Sequence, residues 1–478
     1  MEPYIIGVDI GTGSAKAVAL KYSGEIIASS QRNYNLLETA SDFSEQDPEI
    51  IWNAFVACLK ETVNAANSVP VAVSFSSAMH SVLVIDKNNK PITNVITWAD
   101  TRSEKIAEEI RTSAIAETLY RETGTPIHSM SPLCKIIWFK KKSTEIFAGA
   151  FKFISIKEFI WYRLFNEYEI DKSLASATGL YNILTGVWNK RSLDLCGITA
   201  SHLSTIVPTD FARKNINKQI GEELNITSNT SFCIGASDGC LANIGSYALE
   251  RGTAAITIGT SGAVRIAAHE PVFDFKAMIF NYVLDEDTFI CGGPVNNGGN
   301  ILNWMMHSFL KIANPADSEY NTFFKEVAEA PAGSKGLLFL PYLFGERAPI
   351  WDEKSAGIFF GIKSFHNQSH FLRASMEGVC YGLKNILAII EESKGTIEQL
   401  NVSGGFIHSK VWVQILSDVT GKEICLVQTD DASAIGAAML YMKSVNIIEK
   451  YSSLQHGERS TVLPIDGNHL VYEKYYPV

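Results

Sequence analysis

Apolar and polar residues alternate from the start of the chain in a pattern that predicts strands. Residues 4–9, 15–22 and 25–30 read as three of them, the last two joined by a turn at Ser23-Gly24. The period then changes. Asp47-Pro48 opens a helix, as N-cap and first helical residue, that runs to about Ala66 with Ile51, Phe55, Cys58, Leu59 and Val63 on one face. Apolar runs at 69–76 and 82–86 return to strand character before a Lys87-Asn88-Asn89-Lys90 turn, and helical spacing resumes over 103–120 and 134–142.

The second half repeats this plan loosely. A hairpin at 253–267 is followed by helices at 300–311 and 317–329 and an apolar segment at 336–344. A long helix at 368–393 follows, then a strand at 399–403, a helix at 409–420, a strand at 423–427 and a helix at 432–443. Strands alternating with helices predict α/β domains whose sheets are covered by helices. The chain has 478 residues, beyond the roughly 250–300 over which one core keeps growing. Two large domains are therefore expected, 1–246 and 247–478. No Pro/Ser/Gly-rich linker separates them, so the junction should be packed and hinge-like.

The two halves also share a turn. Val8-Asp9-Ile10-Gly11-Thr12-Gly13-Ser14 is echoed by Thr257-Ile258-Gly259-Thr260-Ser261-Gly262. Each is an apolar strand, a tight Gly/Thr/Ser turn and a returning strand, and such turns present the N–H and hydroxyl donors that a phosphate needs. Only the first copy ends its strand on a carboxylate, Asp9. One carboxylate and two donor-rich hairpins could hold a metal–triphosphate between two similar domains. No Walker A motif occurs, and Ala15 and Lys16 stand where a dinucleotide fingerprint needs its third glycine.

Hydrophobic residues make up 46% and charged residues 19%, as in ordinary globular proteins. Net charge is −10, and Lys140-Lys141-Lys142, the densest basic run, suits a helix C-terminus, so nucleic acid is not the expected partner. The eight cysteines form no Cys-x-x-Cys pair and read as reduced, buried thiols. Asp9 interrupts the N-terminal apolar run, which does not read as a signal peptide, and the longest apolar stretch, 337–344, is too short for a bilayer. A cytoplasmic protein with no membrane partner is expected.

Gly235-Ala236-Ser237-Asp238-Gly239 ends a strand before an apolar helix and admits several readings. It fits a hydrolase nucleophile elbow at Ser237, although no HGGG-type oxyanion loop accompanies it. It equally presents Asp238 as a general base, or as a simple helix cap. Val402-Ser403-Gly404-Gly405-Phe406 also links a strand to a helix, with glycines that let backbone approach a flat ligand or a phosphate.

The chain from about residue 4 to 445 resembles the FGGY family of carbohydrate kinases. Met130-x-Pro132-x-x-Lys135-Ile136-x-Trp138-Phe139 matches one family signature, apart from Lys142 where an acidic or amide residue usually closes it. Gly357-x-Phe359-x-Gly361-Ile362, then seven residues to His370-Phe371-x-x-Ala374-Ser375-Met376-Glu377, matches the second. The resemblance implies two actin/hexokinase-like (ribonuclease H-like) ATPase domains with ATP and Mg²⁺ in the cleft between them. It implies Asp9 as the metal-linked carboxylate and Asp238 as the catalytic base. Thr12, Gly13 and Ser14 become the first phosphate loop and Gly259, Thr260 and Ser261 the second. Gly404, Gly405 and Ser409 fall on the adenosine side.

Ser76-Ser77-Ala78-Met79-His80-Ser81 and Trp98-Ala99-Asp100-Thr101-Arg102-Ser103 are similar to the sugar loops of the gluconate-specific members, and Met79-His80 also to those acting on xylulose. Phosphorylation of a sugar acid is thus the leading expectation, with a ketopentose kinase as the alternative. A serine hydrolase or a non-catalytic ATP-binding protein is more remote. Met79, His80, Arg102 and Asp238 are the expected substrate residues. His80 and Arg102 are the candidate charged donors for a carboxylate, unless Arg102 is tied up by Asp100 or Glu104. The expected partners are small molecules, which leaves a homodimer open.

Overall fold

A computed structural model describes residues 2–37, 40–427, 431–454 and 460–476. Two sheets organise it. The first orders its strands Ala212–Arg213, Ser231–Ser237, Ala72–Ser77, Tyr4–Ile10, Ser14–Lys21 and Ile26–Asn33. The second orders them Phe280–Val283, Phe289–Val295, Gly262–Ala268, Thr253–Ile258, Gln399–Ser403, Glu423–Leu426 and Thr461–Val462. In each sheet a hairpin's first strand, Tyr4–Ile10 or Thr253–Ile258, has its antiparallel return on one side and a parallel neighbour on the other. The loose repeat read from the pattern is thus a repeat of topology.

Tyr4–Ile10 is apolar on both faces because it is central; only Asp9, at its tip, is even partly exposed. The helix Pro48–Ala66 starts where Asp47 accepts a hydrogen bond from Glu49 N and ends at Asn67 in the left-handed region. Its buried Ile51, Phe55, Cys58, Leu59 and Val63 cover the first hairpin. The expected helix at 103–120 is instead two, Glu104–Arg111 and Ala116–Thr123. Thr112 turns its hydroxyl back onto Glu108 O at 2.9 Å, a local bond that competes with helix continuation. Lys140, Lys141 and Lys142 do occupy the last turn of Pro132–Lys142.

The halves meet where the helix Asp238–Gly245 crosses the helix Ala432–Ser444. Side-chain-free positions allow that crossing. A methyl on Gly436 would overlap Leu241 O, one on Gly245 would overlap Ala432 O, and one on Gly7 would overlap Ala434 O. Lys16 of the first hairpin pairs with Asp431 across the same junction.

The segment beyond the resemblance has a place in the fold. Thr461–Val462 extends the second sheet, and the helix Asp466–Tyr475 buries Tyr472 completely. The Tyr472 hydroxyl donates to Glu377 Oε1 at 2.7 Å and accepts from Arg373 Nη2 at 2.8 Å. All eight cysteines are buried. Among the described residues no helix is long and apolar enough to cross a membrane.

Candidate active site

The three parallel or neighbouring strands of the first sheet end level with one another. Register places Asp9 beside Ser76, and Ser77 beside Ser237, so the carboxylates of Asp9 and Asp238 emerge at one edge. Ser76 Oγ donates to Asp9 Oδ1 at 2.6 Å. Burial raises the Asp9 pKa, opposed by that hydroxyl and by Lys16. Ser237, not Asp238, is the N-cap of the following helix: its Oγ accepts from Cys240 N at 3.4 Å and from Ser173 Oγ at 2.9 Å. Ser237 is wholly buried and, among the described residues, no histidine hydrogen-bonds it. The hydrolase reading therefore fails, because the hydroxyl is inaccessible and already used. Asp238, relieved of capping, is held by Gly239 N at 2.7 Å, and burial with the nearby Asp9 charge pushes its pKa up to about 7 against the pull of Arg265.

Both hairpin turns expose donors. In the first, Gly11 O and Gly13 O accept from Tyr34, and Thr12 O accepts from Gln46 Nε2. The carbonyls are thus spoken for, while the Thr12 and Gly13 N–H groups have no acceptor among the described residues. The Thr12 hydroxyl accepts from Trp98 Nε1 at 2.9 Å, and Ser14 Oγ accepts from Gln31 Nε2 at 3.2 Å. In the second turn, Gly259 O and Thr260 O accept from Gly299 N and Asn300 N at 2.7 and 3.1 Å, again leaving the Thr260 and Ser261 N–H groups uncommitted. Sequence reasoning missed this clamp; its only trace was Gly298-Gly299, whose added Cβ atoms would fall 2.7 Å from Ser261 O and Gly259 O respectively.

Two cavities flank the second turn. One, of about 580 Å³, is lined by Gly259, Thr260, Gly405 and Ser409 together with residues not anticipated, notably Leu302, Asn303, Tyr320 and Phe324. Gly404 sits at φ 100°, and a methyl there would overlap Ile258 O, so its lack of a side chain lets that loop close against the turn. The other, of about 290 Å³, is lined by Met79, His80, Trp98, Asp238, Arg265 and Arg347 among others. Gly259 and Thr260 belong to both, so the turn is the wall between them.

The smaller cavity corrects two expectations. Arg102 is not among its lining residues. Its guanidinium grips Asp100 through Nε at 2.8 Å and Nη2 at 2.7 Å, reaches Glu45 at 2.5 Å, and lies 3.7 Å over the Phe43 ring. Its side chain is 4% exposed, with Nε and Nη2 committed to those two carboxylates. His80 does line the cavity but carries no charge there. Burial, with Lys135 and Arg347 nearby, pushes its pKa down to about 3. Its Nδ1–H donates to Ala177 O at 2.7 Å, so Nε2 is an acceptor, facing the Tyr282 hydroxyl at 3.3 Å. The cations of this cavity are Arg265 and Arg347, from the other half of the chain.

A lysine organises the wall. Lys135 is fully buried, and its ammonium donates to His80 O, Thr97 O and Met130 O at 2.7, 2.7 and 2.8 Å. Burial lowers its pKa to about 7, with Asp100 opposing. Three donors on three carbonyls draw together the segments that carry His80, Trp98 and Met130.

Residues 4–245 match the model of the N-terminal domain, and residues 254–445 that of the C-terminal domain, of the FGGY family of carbohydrate kinases. The chain is 39% identical to a gluconokinase of Bacillus subtilis (strain 168), covering 100% of this chain and 95% of that one. A crystal structure of gluconate kinase from Lactobacillus acidophilus superposes with a TM-score of 0.95 at 32% identity, covering 100% and 96% of the two chains. A ligand-bound xylulose kinase from Lactobacillus acidophilus gives the same TM-score and identity, covering 99% and 96%. Backbone shape is therefore neutral between those two substrates, and the choice rests on side chains.

Proposed function

Because the chain belongs to the FGGY family of carbohydrate kinases, we propose that it transfers the γ-phosphoryl group of ATP to the terminal hydroxyl of D-gluconate, giving 6-phosphogluconate. The charge of the smaller cavity carries the choice of a sugar acid. It contains two guanidinium groups, Arg265 and Arg347, and a single carboxylate, Asp238, while His80 is neutral. Burying a carboxylate without a cation is costly, and a neutral ketose has no use for two. A xylulose kinase, carried by the same fold, is the reading this charge disfavours.

ATP fits the larger cavity with its adenosine beside Gly404, Gly405 and Ser409, and its phosphates on the turn shared by both cavities. An indole N–H can only donate, so the Thr12 hydroxyl that accepts from Trp98 keeps its own proton for a phosphate oxygen. The uncommitted N–H groups of Thr12, Gly13, Thr260 and Ser261 supply further donors. Magnesium suits this edge: Asp9 is a part-buried carboxylate with one neutral hydrogen bond, and this cation favours one or two carboxylates plus phosphate oxygens. When bound it neutralises phosphate charge.

Asp238 accepts the proton of the 6-hydroxyl as that oxygen forms its bond to the γ-phosphorus. The bond from phosphorus to the β,γ-bridging oxygen breaks, and ADP leaves with that electron pair. Positioning and charge neutralisation dominate such transfers. Closure about the packed helix crossing would exclude water, the competing nucleophile. An ATP-consuming enzyme of this kind works in the cytoplasm. Incubation with ATP and D-gluconate should give a product with the mass and phosphorus resonance of 6-phosphogluconate. ADP release indifferent to gluconate would overturn the reading.

A further inference from the structure

We propose that Arg265 recognises the substrate's carboxylate and thereby sets the preference for a sugar acid over a neutral sugar, an assignment that rests on the gluconate reading above. The argument begins with the strand Gly262–Ala268, which leaves the phosphate-side turn and runs along the cavity. Ala263 and Arg265 share a face, and both line the cavity. Arg265 lies two residues further from the turn, about 7 Å along the strand. Its Cα is therefore the farther of the two from the turn, while its guanidinium packs beside Gly239, the residue that follows Asp238. A chain bound with its terminal hydroxyl at Asp238 shares this cavity with that guanidinium.

Arg265 is also the arginine with donors to spare. It makes one hydrogen bond, from Nη1 to Thr257 Oγ1 at 3.5 Å, and no ion pair among the described residues. Arg347 is committed to its own surroundings, with Nε on Asn296 Oδ1 at 2.7 Å, Nη2 on Val295 O at 3.1 Å and its guanidinium 5.2 Å over the Trp98 ring. Arg102 is paired with Asp100 and Glu45 and does not line the cavity. Space for the Arg265 head comes from Gly239: a Cβ there would lie 3.3 Å from Arg265 Nε and 3.1 Å from Met79 Cε. A planar fork of N–H donors matches a carboxylate with two parallel bonds and gains nothing comparable from a ketone or hydroxyl.

The test compares wild type, Arg265→Leu and Arg265→Lys in steady-state kinetics with D-gluconate, D-xylulose and ATP. Loss of a charge-assisted pair should raise the gluconate KM of the leucine variant on the order of 10- to 100-fold, with the ATP KM nearly unchanged. The lysine variant should fall between, because it keeps the charge and loses the fork. Any activity on D-xylulose should lose far less than activity on gluconate. Equal losses on both sugars, or a fall in kcat with the gluconate KM preserved, would place Arg265 at the phosphoryl group and overturn the assignment. So would a leucine variant with wild-type gluconate kinetics, which leaves the gluconate reading itself standing. A wild-type enzyme that phosphorylates D-xylulose and not D-gluconate overturns both.

Discussion

Trp98 joins the two binding regions: its indole Nε1 donates to the Thr12 hydroxyl at 2.9 Å while its ring lines the smaller cavity and faces Arg347. Sugar contact and phosphate-turn geometry therefore share one side chain. Trp98→Phe keeps the ring and removes the N–H. One neutral hydrogen bond corresponds to roughly a 2- to 10-fold effect, so kcat should fall and the ATP KM rise within that range. Unchanged values for both would show that the Trp98–Thr12 bond plays no part in turnover.

Asp238 should behave as a base that is poised and destabilising at once. Asp238→Asn should lower kcat by about 10²–10⁴-fold, with ATP affinity retained. Its pKa is raised by burial and Asp9 to about 7, and the active form is deprotonated, so kcat/KM for the sugar should fall as pH drops through about 7. The linkage has the opposite sign for stability. A carboxyl with a folded pKa near 7 and an unfolded value of 3.8 binds more protons when folded, so its contribution weakens as pH rises between them. The asparagine variant should therefore melt higher than wild type at pH 8, and a lower melting temperature there would contradict the buried-charge account.

Lys135→Met removes the ammonium from three carbonyls while roughly keeping the stem. Thr97 O keeps its bond from Asp100 N, but His80 O and Met130 O lose their donor; each such carbonyl costs about 1–3 kcal/mol, so the melting temperature should fall by several degrees. The wall segments it gathers carry His80, Trp98 and Met130, so the sugar KM should rise more than the ATP KM. A destabilised variant with both KM values unchanged would reduce Lys135 to a purely structural role.

What could be read from the chain depended on how far each side chain's partners lay along it. The hairpins, the helix from Pro48 and the strand-tip carboxylates follow from local pattern, and the structure has them. Of the two roles open to Arg102, the pairing with Asp100 is the one present, and its second partner, Glu45, sits 57 residues away on a two-residue strand that leaves almost no pattern. The charge state of His80 is set by burial, by Lys135 and by Ala177, 97 residues along, none of which the local Met-His pattern encodes. Arg265 lay within the recognised second hairpin yet was passed over, since a strand's inward face cannot be told from its outward one until the sheet is built. Tyr320 and Phe324 line the larger cavity from the helix Asp317–Glu329, whose amphipathic pattern reads only as a core-facing helix.

The helix crossing at the junction makes its own prediction. Gly436→Ala places a methyl where Leu241 O already lies, and backbone on both sides leaves little room to yield. Overpacking of this kind costs about 1–3 kcal/mol or more, so the variant should melt several degrees lower. A thermally unperturbed Gly436→Ala protein would mean that the two helices are not packed this closely.

The central claim, a kinase whose cavity is built for an anionic sugar, is tested most directly by the ratio of kcat/KM for D-gluconate to that for D-xylulose, measured by coupled ADP release at saturating Mg²⁺–ATP. Two cationic side chains and a neutral His80 predict a ratio well above about 10, the equivalent of one charge-assisted hydrogen bond. A ratio at or below one would contradict the claim while leaving the kinase assignment in place.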